Sequence, residues 1–405
     1  MSAINKGIDS RRFRTLAAGA TAATLLLAGC GGGGSEDGAT GDHELLYISG
    51  ISGLLSPSAK AFERGMTAHV EYINENGGIN GRKLNLTVKD NQSDPTRGVT
   101  LLQEALNSDQ RPDVVFPGVS SNEALAVAPL LTREKVPHIV SASTPKLDDV
   151  KEYPYVFSYA GKQADYVAGV REFIDQKGSS AVRVALAVPN DALGDAAAAS
   201  FEEIFADVDT EVAHFDSDAV DFTPTFQKLM AGKPDWIMME GAGAQVPIML
   251  SSRVKAGGND VPTILGITSS SAPILDFASA EQRENVYSTL LPLQRYIEPQ
   301  DRSEEFVEFE KRVTEQGPLE VSLAIYGSGW DMIGLWARAA EQAGEGATGD
   351  DVVKALEDLE LSEDDTQFPM FGAEYDAESH YPYGVEKRIG FGQVVAEKDG
   401  MLIVE

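Results

Sequence analysis

The side chains that could do chemistry are few, and their spacing excludes most enzyme types. Histidine occurs at positions 43, 69, 138, 214 and 380, and no two stand at metal-ligand spacing on one helix. Cys30 is the sole cysteine, so neither a disulfide nor a cysteine metal site can form within the chain. Gly118-Val119-Ser120-Ser121-Asn122 lacks the second glycine of a G-x-S-x-G elbow. No phosphate-binding G-x-x-x-x-G-K-[ST] loop is present, and Gly50-Ile51-Ser52-Gly53 stands where a dinucleotide fingerprint would have to be. The expectation is a protein that is not an enzyme and carries neither cofactor nor metal. What remains is a set of small polar loops: Ser49 to Gly53 with Ser52, Gly118 to Ser121, and Ser141 to Thr144 with Ser143. Such loops offer backbone N–H groups, hydroxyls and helix N-terminal dipoles, a combination that favours a carboxylate. Ser120 and Ser143 could each be a helix cap and nothing more, but three such loops in succession on one sheet edge favour a site.

The elements that position these loops alternate in type. Leu45–Ile48, Leu84–Val88, Val114–Phe116 and His138–Val140 read as strands. Between them Ser56–Asn76, with Phe62, Met66, Val70 and Ile73 at helical spacing, Pro95–Asn107 and Ser121–Glu134 read as helices. The rhythm restarts with strands at Val182–Val188, Thr210–His214 and Trp236–Met239, and helices at Ala192–Phe205, Phe222–Met230 and Val246–Ala256. Alternation of this kind predicts an α/β protein of parallel sheets covered by helices. Two blocks predict two doubly wound, Rossmann-like lobes, with ligand bound at the carboxyl ends of strands in the cleft between them.

Composition agrees. About 360 residues follow His43, more than one core usually organises. Residues 1–29 read as a signal peptide: Lys6, Arg11, Arg12 and Arg14 precede an apolar, small-residue run from Leu16 to Ala28. Leu27-Ala28-Gly29-Cys30 resembles the lipobox of bacterial lipoproteins, which implies a lipid on Cys30 and an extracytoplasmic protein held on the cell membrane. Arg11-Arg12 fits a twin-arginine signal imperfectly, so the export route stays open. Residues 30–43 form a glycine-rich, flexible linker spanning roughly 20 Å. Loss of residues 1–29 removes four basic groups and one acid (Asp9), deepening the net charge from −30 to −33. So acidic a body is unsuited to nucleic acid or to electrostatic binding of anionic lipid.

One stretch is more specific. Glu71-Tyr72-Ile73-Asn74-Glu75-Asn76-Gly77-Gly78-Ile79-Asn80-Gly81-Arg82, followed by Leu84-Asn85-Leu86 and Asp90, resembles the hallmark of type I periplasmic binding proteins of the leucine/isoleucine/valine-binding family. Val136-Pro137-His138-Ile139, Asn190-Asp191 with Gly194, Asp221-Phe222-Thr223, Lys233-Pro234-Asp235-Trp236-Ile237, and Tyr326 followed by a helix also fit. The resemblance implies one lobe from 44–158 plus 293–370, another from 159–292 plus 371–405, and a multi-crossover hinge. It implies a monomeric receptor that closes on a small solute and delivers it to an ABC transporter permease; a sensory receptor handing its closed form to a signalling partner is the alternative. The ligand carboxylate would lie on the Ser120–Ser121 and Ser143–Thr144 loops. Where relatives that bind α-amino acids place aromatics, this chain has Leu193 and Gly241 to Ala244. Where they place an acid for the ammonium, it has Thr268 to Ser271. Glu240 is a candidate relocated partner, or a solvated strand-end acid; Gln245 is equally open. Branched-chain amino acids, other carboxylates and amides all fit the scaffold.

Overall fold

The computed structural model describes residues 41–53, 55–178, 183–241, 245–271, 274–359 and 374–405. The targeting segment 1–29, Cys30 and nearly all of the 30–43 linker lie outside the described residues, as do Val182, Ala242 to Ala244 and 360–373. The first half contains β1 (His43–Ser49), α1 (Ser56–Glu75), β2 (Leu84–Asp90), α2 (Pro95–Leu106), β3 (Val114–Pro117), α3 (Ser121–Arg133), β4 (His138–Val140) and β5 (Val156–Ser158). These strands form a parallel sheet in the order β2-β1-β3-β4-β5.

There follow α4 (Gln163–Gln176), β6 (Arg183–Pro189), α5 (Ala192–Ile204), β7 (Asp209–Phe215), α6 (Thr223–Ala231), β8 (Trp236–Met239), α7 (Gln245–Lys255), β9 (Thr263–Leu265), the one-turn α8 (Ile274–Phe277) and α9 (Ala280–Arg283), and β10 (Val286–Leu290). The chain then runs through α10 (Glu304–Glu315), α11 (Leu323–Ala343) and α12 (Gly349–Glu357) to β11 (Gly390–Gly392), β12 (Val394–Lys398) and β13 (Met401–Val404). The second sheet has the order β11-β10-β9-β8-β6-β7, parallel except for β11 at its edge. The fold is two α/β lobes, as the alternation predicts. Every strand and helix read from the sequence is present, with ends displaced by a few residues. Tyr326, expected ahead of a helix, instead lies within α11.

The hallmark stretch earns its residue types locally. Phe62, Met66, Val70 and Ile73 are the buried face of α1. Asn74 then clamps the helix end to the next strand: its Nδ2 donates to the Leu84 carbonyl (2.9 Å) and its Oδ1 accepts from the Leu84 N–H (2.8 Å). Gly78 has φ +74°, and a Cβ there would stand 2.0 Å from the Arg82 carbonyl oxygen. Only glycine permits both the left-handed turn and that approach.

The chain passes between the sheets three times: after β5, after β10, and through the segment 374–389 that leads to β11. That last segment pairs back onto the first lobe, where Ser158 N–H donates to the His380 carbonyl (2.8 Å) and the Tyr375 hydroxyl donates to the Ser158 carbonyl (2.8 Å). Helix α11, buried along almost all of its length, packs against α1 in the largest core cluster. Among the described residues no helix is long and apolar enough to cross a membrane.

Candidate ligand cleft

In open α/β sheets the crevice for a ligand opens where the strand order reverses. In the first sheet that point lies between β1 and β3, and in the second between β6 and β8. The loops leaving these strands include the polar ones, 50–53 after β1, 118–120 after β3 and 190–191 after β6, and Glu240 follows β8. Helix α3 follows β3, α5 follows β6, and the two helices touch across the lobes. The candidate residues therefore converge on one region, but the structure gives them different tasks.

Ser52 is exposed and tied to the neighbouring loop: its hydroxyl donates to Asp90 Oδ2 (2.5 Å) and its N–H to Asp90 Oδ1 (3.1 Å). Ser120 is the N-cap of α3, accepting from the Glu123 N–H (3.3 Å) while its hydroxyl donates to Glu123 Oε2 (3.0 Å). Glu123 is itself buried; its carboxylate also accepts from Asn91 Nδ2 (2.7 Å) and from the Val119 N–H (3.3 Å). A protein carboxylate thus occupies donors at this helix start. Ser121, Ser143 and Thr144 differ: among the described residues their hydroxyls form no hydrogen bond to the protein. Leu193 is half-buried at the start of α5, where Asp191 Oδ1 caps its N–H and that of Gly194 (3.0 Å each).

The loop carrying Ser143 and Thr144 is held by residues that sequence spacing does not connect. The Tyr381 hydroxyl, fully buried, donates to the Thr144 carbonyl (2.7 Å). Gln163 N–H donates to the Ser143 carbonyl (3.0 Å). Asp148 at the loop's far end is paired with Lys162 (2.7 Å) and accepts from Ser379 (2.8 Å). Tyr381, Ser379 and Lys162 come from crossover segments and Gln163 opens α4 directly after one, so the loop is fixed largely by the stretches of chain that join the lobes.

Glu240 ends β8 and is completely buried. Its Oε1 accepts from Gln163 Nε2 (3.1 Å), and Oε2 has no hydrogen bond of good geometry. A Cβ on Gly266 would stand 1.9 Å from Oε1, so the missing side chain there makes room for the carboxyl group. Burial drives this carboxyl up to about 7, against the opposing pull of Gln163 and of the backbone N–H groups of Thr268, Ser269 and Ile267. Thr268 is half-buried and meets Glu240 through its main chain. Gln245 turns elsewhere, its Nε2 donating to the Ser217 carbonyl (2.7 Å). No group of three His, Cys, Asp or Glu side chains among the described residues is disposed to hold a metal.

The profile of the periplasmic binding protein family matches residues 45–385, and the chain belongs to that family. No curated protein matches it by sequence. Among solved structures it is similar to a type 1 periplasmic binding protein from Bordetella pertussis Tohama I, at 17% identity and TM-score 0.75, covering 90% of this chain and 99% of that one. It is also similar to an ABC transporter solute binding protein from Rhodopseudomonas palustris BisB5 in complex with 3,4-dihydroxybenzoic acid, at 20% identity and TM-score 0.72, covering 90% and 96%. A third similar structure is the branched-chain amino acid transporter substrate binding protein LivJ from Streptococcus pneumoniae with isoleucine, at 18% identity and TM-score 0.70, covering 89% and 97%.

Proposed function

We propose that this chain is the extracytoplasmic solute receptor of an ABC transporter, that it closes on a small carboxylate-bearing solute, and that it delivers the solute to a permease in the membrane to which Cys30 anchors it. The observation that carries the reading is a set of hydroxyls that form no hydrogen bond among the described residues: Ser121 opens α3, which touches α5 of the other lobe, and Ser143 and Thr144 lie on the loop after β4, the strand next to β3. The carboxylates borne by the ligands of the R. palustris and S. pneumoniae relatives suit such a set. The mechanism is hinge closure on three crossovers, and the solute favours the closed form only by its greater affinity for it. No chemistry on the solute is required, and the acidic surface leaves nucleic acid out of the reading.

The test is closure. Paired fluorophores on the two lobes, or small-angle scattering, should report compaction with a solute that binds; binding without closure sinks the mechanism. Thr144→Ala should weaken a carboxylate ligand at least tenfold, because a hydrogen bond to a charged group contributes about 1.5–3 kcal/mol. Unchanged affinity removes Thr144 from the site. Separately, Cys30→Ser should move the protein from the membrane fraction to the soluble one. Retention on the membrane would place the anchor elsewhere.

A further inference from the structure

Resting on that reading, a buried polar bridge orders the cleft: we infer that Gln163 is the positioning residue that couples the solute-facing loop of the first lobe to the end of β8 in the second, and that a proton on Glu240 holds this coupling in place. The loop after β4 gives three successive carbonyls to donors outside it. Ala142 accepts from the Ser158 hydroxyl (2.9 Å), Ser143 from the Gln163 N–H (3.0 Å) and Thr144 from the Tyr381 hydroxyl (2.7 Å). Ser158 ends β5, and Tyr381 lies on the last crossover. Gln163 differs from both. It opens α4, whose Val167, Val170 and Ile174 pack into the core of the second lobe with residues of β6 and β8. Its side chain continues to Glu240, Nε2 donating to Oε1 (3.1 Å). One fully buried residue thus holds Ser143 with its main chain and Glu240 with its side chain.

The bridge suits a neutral carboxyl. None of the Glu240 surface reaches solvent; Gln163, Gly266 and the 267–269 backbone cover it. Glu240 Oε2 and Gln163 Oε1 are both buried without a hydrogen-bond partner among the described residues. The groups that act on the carboxyl are Gln163 and the backbone N–H groups of Thr268, Ser269 and Ile267, and no charged side chain among the described residues offsets its burial. Tyr166, on the same helix as Gln163, is the titratable group that feels its charge. Burial keeps that hydroxyl protonated, and it accepts from the Gly161 N–H (3.0 Å). Ionised Glu240 would be a buried charge without a counter-charge, which is costly, so the cover over it gives way. The sign follows from the direction of the shift, from 4.5 up to about 7. The coupling is complete below pH 4.5 and is lost as pH rises through about 7. An opening that wets the carboxyl returns it to its ordinary value, so linkage makes that opening about tenfold more populated at pH 8 than at pH 6. Because Gln163 is part of the cover, the same opening releases the Ser143 carbonyl.

Hydrogen–deuterium exchange of the solute-free, detergent-solubilised full chain tests this at pH 6 and pH 8, with each rate corrected for the intrinsic pH dependence of exchange. Peptides covering 141–150 and 263–270 should both lose about tenfold in protection at pH 8, while a peptide covering β2 keeps its own. In Glu240→Gln, which cannot ionise, neither segment should respond to pH. Protection that is the same at both pH values in the unmodified chain overturns the inference, and that arm does not depend on the variant. An equal loss in Glu240→Gln overturns it too. A loss confined to 263–270 shows that Gln163 does not carry the opening to the Ser143 loop, and the coupling falls. No solute enters the measurement, so its failure leaves the receptor reading standing; a solute that binds without closing the lobes sinks that reading and leaves the bridge.

Discussion

Replacing Gly65 with alanine is expected to cost about 3 kcal/mol or more, and replacing it with valine to leave little folded protein. Helix α1 crosses α11 at two reciprocal points. A Cβ on Gly65 would stand 1.9 Å from the Tyr326 carbonyl oxygen and 3.1 Å from the Trp330 nitrogen. A Cβ on Gly329 would stand 2.1 Å from the Phe62 carbonyl oxygen. The obstacles are backbone atoms, which cannot rotate away as side chains can. Nor can α11 retreat, because Tyr326, Gly327, Ser328, Trp330, Asp331 and their neighbours are buried on every face. Overpacking of this kind costs roughly 1–3 kcal/mol where side chains can give, and more where backbones must part. Against a total stability of about 5–15 kcal/mol that is a large share.

Gly98, inside α2, supplies the contrast. There the nearest neighbour of an added Cβ is Asn91 Nδ2 at 3.4 Å, an ordinary contact. Gly98→Ala should be neutral or stabilise by up to about 1 kcal/mol through helix propensity. Urea unfolding followed by circular dichroism measures both variants. A Gly65→Ala midpoint as high as that of Gly98→Ala would show that the two helices tolerate separation.

Stability should also rise with pH between about 4.5 and 6.5, and Glu240 should oppose that rise. His69 and His138 are buried, and burial lowers each from 6.5 to about 4. Above pH 6.5 both are neutral whether the chain is folded or not. Below it the unfolded chain binds protons that the folded one refuses, so stability is lost as pH falls toward 4. Glu240 has the reverse sign, its folded carboxyl being raised from 4.5 to about 7 by burial. Below pH 4.5 it is protonated in both states. Between 4.5 and 7 the folded chain keeps a proton that the unfolded one releases, and stability falls as pH rises. Two histidines outweigh one glutamate, leaving a net gain of about 1.4 kcal/mol per pH unit from these three groups.

Glu240→Gln removes the opposing contribution. Its effect on unfolding free energy should be more favourable at pH 8 than at pH 4.5 by about 1.5–3 kcal/mol, with the upper end set by the full shift. Taking the difference between the two pH values cancels any constant packing change from the amide. Equal effects at both values would mean that the carboxyl titrates normally, and hence that water reaches it.

Local patterning carried the alternation of strands and helices, and with it the two-lobed α/β class, because β1, α1, β2 and their successors expose their periodicity within a dozen residues. The stretch from Glu71 to Arg82 carried the family, because Asn74 and Gly78 serve contacts only a few residues away in sequence. Helix α11 was less visible. It is buried along almost all of its length, so few polar residues mark a solvent-facing stripe, and Ser322 gives it no capping hydrogen bond.

The roles within the cleft were decided by tertiary structure. Sequence placed Ser120, Ser143 and Thr144 on suitable loops. Only the fold turned the Ser120 hydroxyl onto Glu123 and gave the Thr144 side chain no hydrogen bond among the described residues, while Tyr381, from the last crossover, fixed its main chain. Glu240 shows the division most clearly. Its position at the end of a strand could be read along the chain, and that position alone allowed a solvated acid or a ligand partner. Gln163 and Gly266 come to it from separate segments of the second lobe, and their packing makes it neither. Whether a carboxyl is charged and reachable depends on what surrounds it in three dimensions, and local sequence does not encode those neighbours.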